Sequence, residues 1–279
     1  MKINIFENSN VVALMSEKMD GSMRLHGHAE YDKPASDNRK AYFVKHGINP
    51  ERVIGAALVH GNHVEIVSRP RNPKLVWNDY LVERTDSLIT GDKGICLAIT
   101  AADCSPVYLW DPVQGVIALV HSGWKGTLAA VVPHTIERMV EEFNCSPPDI
   151  QAYIGPGIQK CQFQVGREIA ERFPHQFVEE RVLQVPLSAA IQAKESDTTN
   201  DTHERVKKYY VDLPAVIDWQ LKGRGISKIA CETMCTFCNK GIATLNAPPQ
   251  KSEIAYRWFS FRREKSDPLK TQMAVFGMK

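Results

Sequence analysis

Short apolar runs bounded by Gly, Pro and Asp dominate the middle of the chain. Ile95 to Thr100, Val107 to Trp110 and Val116 to Val120 are rich in β-branched residues and predict buried strands. W-D-P-V-Q-G, between the second and third, has the composition of a hairpin turn. After Gly126 the period changes. Leu128, Val131, Val132, Ile136, Met139, Val140 and Phe143 fall on one helical face ending near Asn144, with Pro133 starting or bending the helix. Val53 to Leu58 and Val64 to Val67 predict strands on either side of an H-G-N-H bend, followed by a Pro/Asn/Arg loop from Ser68 to Lys74. Ile150 to Ile154 predicts a strand ended by G-P-G, Gly155 to Gly157.

The flanking regions are less regular. The first fifty residues are polar and mixed, and predict a helix over Asp37 to Lys45, capped by Ser36 or Asp37. Gly166 to Phe173 predicts a helix, and the polar stretch Pro186 to Lys208 a mobile surface loop. Tyr209 to Val211 is strand-like, Leu213 to Lys222 helical, and Lys228 to Cys231 a strand. W-F-S-F-R-R near the end also reads as a strand. Strands with helices between them predict a single α/β domain over residues 1–279 with mixed sheets.

The bulk numbers remove whole classes of function. A chain of 279 residues makes one large domain or two small ones. Net charge is +2, with no long basic run and no Cys/His finger spacing, which argues against nucleic acid as a partner. No apolar run approaches the roughly eighteen residues of a membrane span. M-K-I-N-I-F-E-N-S-N lacks the apolar core of a signal peptide, so a cytoplasmic location is expected. Seven cysteines, an odd number, then read as thiols or metal ligands rather than as a disulfide framework.

Candidate chemistry concentrates in A-D-C-S-P (Ala102 to Pro106) and V-H-S-G-W-K-G (Val120 to Gly126). They put Cys104 and His121 at the ends of two predicted strands, with His60 upstream in L-V-H-G as a third donor. One Cys and two His make a transition-metal donor set, and three protein ligands leave a position open for chemistry, as in a zinc enzyme. The same pair also suits a thiol nucleophile and its base, with Asp103 as orienter, and a Cys beside an apolar strand is often just a small buried side chain. Asp103 is suited either to orient His121 or to cap a turn. His63 rivals His60, although residues three apart on a continuous strand face opposite ways. H-G-H at His26 and His28 has copper-ligand spacing, but equally reads as a solvated polar segment. Cys231, Cys235 and Cys238 (C-x3-C-x2-C) suit zinc, redox exchange or simple packing.

In order along the chain come L-V-H-G, T-D-S-L-I-T, A-D-C-S-P-V, V-H-S-G-W-K-G, Y-I-G-P-G-I, Q-L-K-G-R-G-I, C-T-F-C and F-S-F-R-R. From about Asn38 to Ala274 the chain thereby resembles the YfiH/laccase-domain family, whose members have been called polyphenol oxidases and purine nucleoside phosphorylases. The resemblance implies mixed sheets sandwiched between helices. It implies a zinc ion (Cu2+ being the alternative) held by His60, Cys104 and His121. It further implies phosphorolysis of adenosine, inosine, guanosine and methylthioadenosine, with adenosine deamination as a companion activity. Arg39, Lys125 and Arg262 are the candidate phosphate contacts under that reading.

The chain departs from the family pattern in several places. M-D-G-S-M (Met19 to Met23) stands where a Gly-Gly-Val-Ser stretch is usual. Lys125 replaces an Arg and so loses bidentate phosphate geometry, Gln272 occupies another Arg position, and roughly Asn239 to Tyr256 is inserted. Two other reactions stay open. A copper polyphenol oxidase normally uses several H-x-H pairs, whereas this chain has nine histidines and one such pair. A Cys–His hydrolase acting on peptidoglycan precursors would need no metal.

Overall fold

The computed structural model describes residues 1–279 apart from 5, 7–9, 25–32, 69–80, 187–202, 240–255 and 266–268. Its strands are β1 (Val11–Met15), β2 (Val53–Ala56), β3 (Val64–Ile66), β4 (Leu81–Val82), β5 (Ser87–Thr90), β6 (Cys96–Ala101) and β7 (Ser105–Asp111). They continue with β8 (Val116–Ser122), β9 (Gln151–Ile154), β10 (Gln164–Val165), β11 (Val178–Pro186), β12 (His203–Val211), β13 (Lys228–Cys231) and β14 (Gln272–Met278). The helices are α1 (Lys33–Lys45), α2 (Trp124–Leu128), α3 (Val131–Phe143), α4 (Arg167–Ala170), α5 (Leu213–Gly223) and α6 (Phe261–Glu264).

Two mixed sheets lie face to face. One has the order β13-β9-β7-β8-β5-β3, the other β1-β14-β6-β2-β4; a small third sheet is β10-β12-β11. Period-two alternation explains the layering. Val107, Leu109, Ala118 and Val120 point to one side of the six-stranded sheet, where they meet Ile136 and Met139 of α3 and Ile217 and Leu221 of α5. Their alternates Tyr108, Trp110, Ile117 and Leu119 point the other way, onto Leu97, Ile99, Ala274 and Phe276 of the five-stranded sheet. Behind that second sheet, Ala98, Met273 and Val275 pack against Tyr42 and Phe43 of α1. The result is helix, sheet, sheet, helix, in agreement with the expected mixed α/β class. Because both faces of β7 and β8 are covered, every residue of these strands is buried, hence their unbroken apolar appearance. Each Val, Leu or Ile so buried contributes about 1.5–3 kcal/mol. The Tyr108 hydroxyl spans the sheets and donates to Leu14 O at 2.8 Å, which satisfies its one polar atom.

The β7–β8 hairpin turns as its composition predicts: Asp111 Oδ1 accepts from Val113 N (2.8 Å) and Gln114 N (3.0 Å). Other expectations need correction. The α1 helix begins at Lys33, so Ser36 and Asp37 lie inside it, and Asp37 pairs with Lys33 rather than capping. The amphipathic segment after Gly126 is two helices. Ala130 adopts a left-handed φ of 58°, which separates Leu128 on α2 from the face of α3. The helix expected over Gly166 to Phe173 is shortened to Arg167–Ala170. W-F-S-F-R-R is not a strand. Ser260 caps α6 by accepting from Arg263 N at 3.2 Å, and the last strand is β14 instead. The polar stretch ending at Lys208 is strand from His203 onward, paired with β11. Residues 187–202 of the expected loop, most of the Ser68 to Lys74 loop, His26, His28 and nearly all of the Asn239 to Tyr256 insertion lie outside the described residues.

Candidate active site and metal centre

The chain leaves the five-stranded sheet at Ala101 and enters the six-stranded one at Ser105, so Ala102, Asp103 and Cys104 form the crossing. Antiparallel pairing of β7 and β8 sets Pro106 opposite His121 and Ser105 opposite Ser122. That register brings Cys104 beside the end of β8. The sequence places Cys104 between two neighbouring strands; these strands belong to different sheets, and the partner that delivers His121 is β8. His60 comes from the bend after β2, with a left-handed φ of 59°. Ligand atoms of His60, Cys104 and His121 all lie within 4.8 Å of one another, and the two imidazole rings meet edge-on at 4.9 Å.

One carboxylate holds this arrangement. Asp86, fully buried at the head of β5, has Oδ1 3.0 Å from His121 Nδ1 and 2.9 Å from the His60 backbone N, while Oδ2 accepts from Gly61 N at 2.7 Å. It therefore fixes the His121 ring and leaves Nε2 as the ring nitrogen free for a ligand role. Asp103 does not orient His121. Its carboxylate accepts from Thr236 Oγ1 (2.7 Å), Ser260 Oγ (2.9 Å) and Arg262 N (2.8 Å), tying the crossing to the start of α6. The rival His63 turns outward, its ring 3.4 Å from Glu65, and contributes only its backbone carbonyl, which accepts from Asp86 N at 3.1 Å.

The electrostatics favour a charged pair. Burial alone would raise the Cys104 thiol, but the His121 and His60 imidazoles overcome it and hold Cys104 at about 6. Burial would lower His121, yet Cys104 and Asp86 raise it to about 9. Both shifts run in the direction that favours thiolate on Cys104 and imidazolium on His121. The donor set also fits a zinc-class ion: one thiolate and two imidazoles, with a carboxylate behind one ring. Space has been kept for the sulfur, since a Cβ on Gly123 would come within 2.7 Å of Cys104 Sγ.

The trio opens into a cavity of about 560 Å³ whose walls include Leu58, Trp124, Phe163 and Phe261. Among the expected anion contacts, Arg262 lines this cavity, and its guanidinium donates to Gln164 O at 2.8 Å. Arg39 and Lys125 are not among the described lining residues. Arg39 is buried in α1 and donates to the carbonyls of Met23 and Arg24; Lys125 is exposed, 5.6 Å from the centre of the Trp124 ring. Sequence reasoning missed Asp86, Trp124 and Arg24, all placed here by the fold. For Asp86 a signal existed: an acid heading the apolar run of T-D-S-L-I-T is costly to bury without partners.

Residues 15–271 match the family model described as multi-copper polyphenol oxidoreductase laccase. The chain belongs to this family. A relative from Mycobacterium bovis, named a purine nucleoside phosphorylase, is 30% identical over 210 residues, which is 75% of this chain and 73% of that protein. One from Bacteroides thetaiotaomicron with the same name is 45% identical over 93 residues, 33% of this chain, and the match spans only 34% of that relative's length. The crystal structure of YlmD from Geobacillus stearothermophilus superposes with a TM-score of 0.73 at 22% identity, covering 99% of this chain and 94% of that one; it is a likeness of fold. Family membership accords with a metal-binding site. Among the described residues no helix is long and apolar enough to cross a membrane.

Proposed function

We propose that this protein catalyses phosphorolysis of purine nucleosides. A phosphate oxygen bonds to C1′ of the ribose, the C1′–N9 bond breaks, its electron pair leaves with the purine, and the proton given up by the hydrogen phosphate neutralises the departing base. Free base and ribose 1-phosphate are the products. The observation that carries this reading is the meeting, in one largely apolar cavity, of the His60–Cys104–His121 trio with Arg24 and Arg262. The names of the relatives from Mycobacterium bovis and Bacteroides thetaiotaomicron support it.

Trp124, Phe163 and Phe261 offer flat apolar surfaces to a purine, and the arginines offer forked donors to phosphate. His60, Cys104 and His121 would hold a zinc ion. When bound, it supplies a Lewis-acid centre and an acidified water, the chemistry that deamination of adenosine to inosine requires. Asp86 keeps the His121 ring in place throughout, and Asp103 keeps the start of α6, and so Arg262, at the cavity wall. The substrates in this proposal are adenosine, inosine, guanosine and methylthioadenosine, together with phosphate.

The test is product analysis after incubation with adenosine, with and without phosphate, on zinc-loaded protein. Adenine that appears only with phosphate supports phosphorolysis, and inosine supports deamination. If neither forms, the proposal is overturned. The thiolate–imidazolium pair favours a second reading, a Cys–His hydrolase. Hydrolysis that survives a chelator would select it, and oxidase turnover rising with copper loading would select the chemistry in the family's name.

A further inference from the structure

A second cluster lies outside the cavity lining, in the segments that build its wall. The sequence groups Cys231 with Cys235 and Cys238, but the fold replaces Cys231 with Cys161. Cys231 ends β13, exposed, with its sulfur directed to the neighbouring Glu232 carbonyl at 3.5 Å. Cys161 instead arrives from the loop after the G-P-G turn, with its Sγ 3.5 Å from Cys238 Sγ. The sulfurs of Cys161, Cys235 and Cys238 all lie within 4.8 Å of one another. Cys235 is buried, Cys161 and Cys238 are exposed, and the Gln159 backbone N–H donates to Cys235 Sγ at 3.4 Å.

From this geometry we propose that Cys161, Cys235 and Cys238 form a second metal site, one that takes a single thiophilic d10 ion, Zn2+ or Cu+, on three thiolates. Sulfur-only donors with a C-x2-C pair select such ions over hard cations. The Gln159 N–H bond to Cys235 is the kind of outer contact that steadies a thiolate ligand. With two of the three sulfurs exposed, the next coordination position faces solvent and is filled by water or a small solute. Binding exchanges three S–H bonds for three metal–sulfur bonds and releases three protons.

The site has a consequence for the cavity. Cys161 lies between Ile158 and Phe163, both cavity residues. Cys235 adjoins Thr236, whose hydroxyl donates to Asp103 and whose carbonyl accepts from Arg263 at 2.9 Å. Backbone pairing already couples the two segments, with Thr236 N donating to Gly157 O at 3.1 Å. The packing there is tight, since a Cβ on Gly157 would collide with Ser105 Oγ. An ion on the three sulfurs fastens the Gly157–Phe163 segment to the turn that braces Asp103. Its role is to hold the wall, in contrast to the chemistry of the cavity trio.

The test counts metal in reduced, full-length protein loaded with Zn2+ and, separately, with Cu+. The variants are C161S/C238S, H60A/H121A and the combination of all four substitutions. Cys161 and Cys238 are exposed, so their removal spares the core, and circular dichroism checks the fold. We expect C161S/C238S to lose one bound ion relative to wild type, H60A/H121A to retain one, and the fourfold variant to retain none. Whichever ion is retained by H60A/H121A identifies the metal. In a C104S background the cavity site has no thiolate, so a near-ultraviolet thiolate-to-Co2+ band has the three-sulfur site as its source and should vanish on adding C161S/C238S. Unchanged metal content in C161S/C238S, or no such band in C104S, overturns the proposal. So does a reduced protein that binds nothing at these sulfurs while the oxidised one carries a Cys161–Cys238 disulfide. Loss of the cavity ion alone would count against the proposed reaction and leave the three-sulfur site standing.

Discussion

Two clusters of soft donors share one wall of this protein, and they differ in what surrounds them. His60, Cys104 and His121 face an apolar cavity with arginines, and a buried carboxylate supports them from behind. Cys161 and Cys238 are exposed to solvent beside the buried Cys235, whose sulfur is supported by a backbone N–H. Donor atoms alone do not separate a reactive centre from a clasp. What separates them is whether the open position looks into a pocket that can hold a substrate and whether charged groups are aimed there. A substitution that strikes one cluster should therefore leave the other intact.

The sharpest break in that comparison is removal of a cavity ligand. Cys104→Ala or His121→Ala should bring phosphorolysis down to background and remove the cavity ion, while the three-sulfur site keeps its own; metal analysis beside product chromatography checks both. Asp86→Asn is expected to cost about 10–100-fold in cavity metal affinity or activity, since it touches the ring and the backbone of two ligands at once. Asp103→Asn should act by another route, weakening phosphate use with little change in metal content.

Next comes acidity. In chelator-treated protein, iodoacetamide should label Cys104 readily at neutral pH. Because Cys104 is lowered to about 6, the labelling rate should fall about tenfold between pH 7 and pH 5 as the thiolate takes up its proton. Burial raises Cys96 to about 11, so that thiol should stay unlabelled across the same range, as peptide mass mapping would show. Arg262→Ala should raise the phosphate KM about fivefold with a smaller change in the nucleoside KM, a loss of roughly 1 kcal/mol of phosphate binding. The smallest effect belongs to Lys125→Ala. Its side chain is exposed, outside the described cavity lining, and the phosphate KM should move by less than about twofold. A fivefold rise there would restore Lys125 as an anion contact and redraw the cavity mouth.

Much of the central fold was legible because local rules sufficed. Apolar runs become strands when both faces are covered, as β6, β7, β8 and β9 show, and the Asp111 turn follows from side-chain chemistry alone. The misses share a cause. The terminal strands β1 and β14 pair with each other from opposite ends of the chain, so nothing within a short window marks them as partners. W-F-S-F-R-R alternates like a strand, yet Asp103 takes the Ser260 hydroxyl and the Arg262 N–H and so supports a helix start. The candidate trio was visible as residue types and spacing. The T-D-S-L-I-T run marks Asp86 as an acid that needs partners, but that His121 is one of them, and not a partner of Asp103, is settled only by what the fold puts beside each.

Alternation along each strand thus determined the layers, and the motifs around Cys104 and His121 determined which donors exist, because both depend on neighbours a few residues apart. Tertiary structure alone decided that the chain crosses between sheets at Cys104, that Asp86 is the carboxylate behind His121, and that Cys161 joins Cys235 and Cys238 in place of Cys231. Those choices turn on contacts between segments tens of residues apart. Packing of the two sheets and the pairing of Gly157 with Cys235 set them, and no local pattern encodes either.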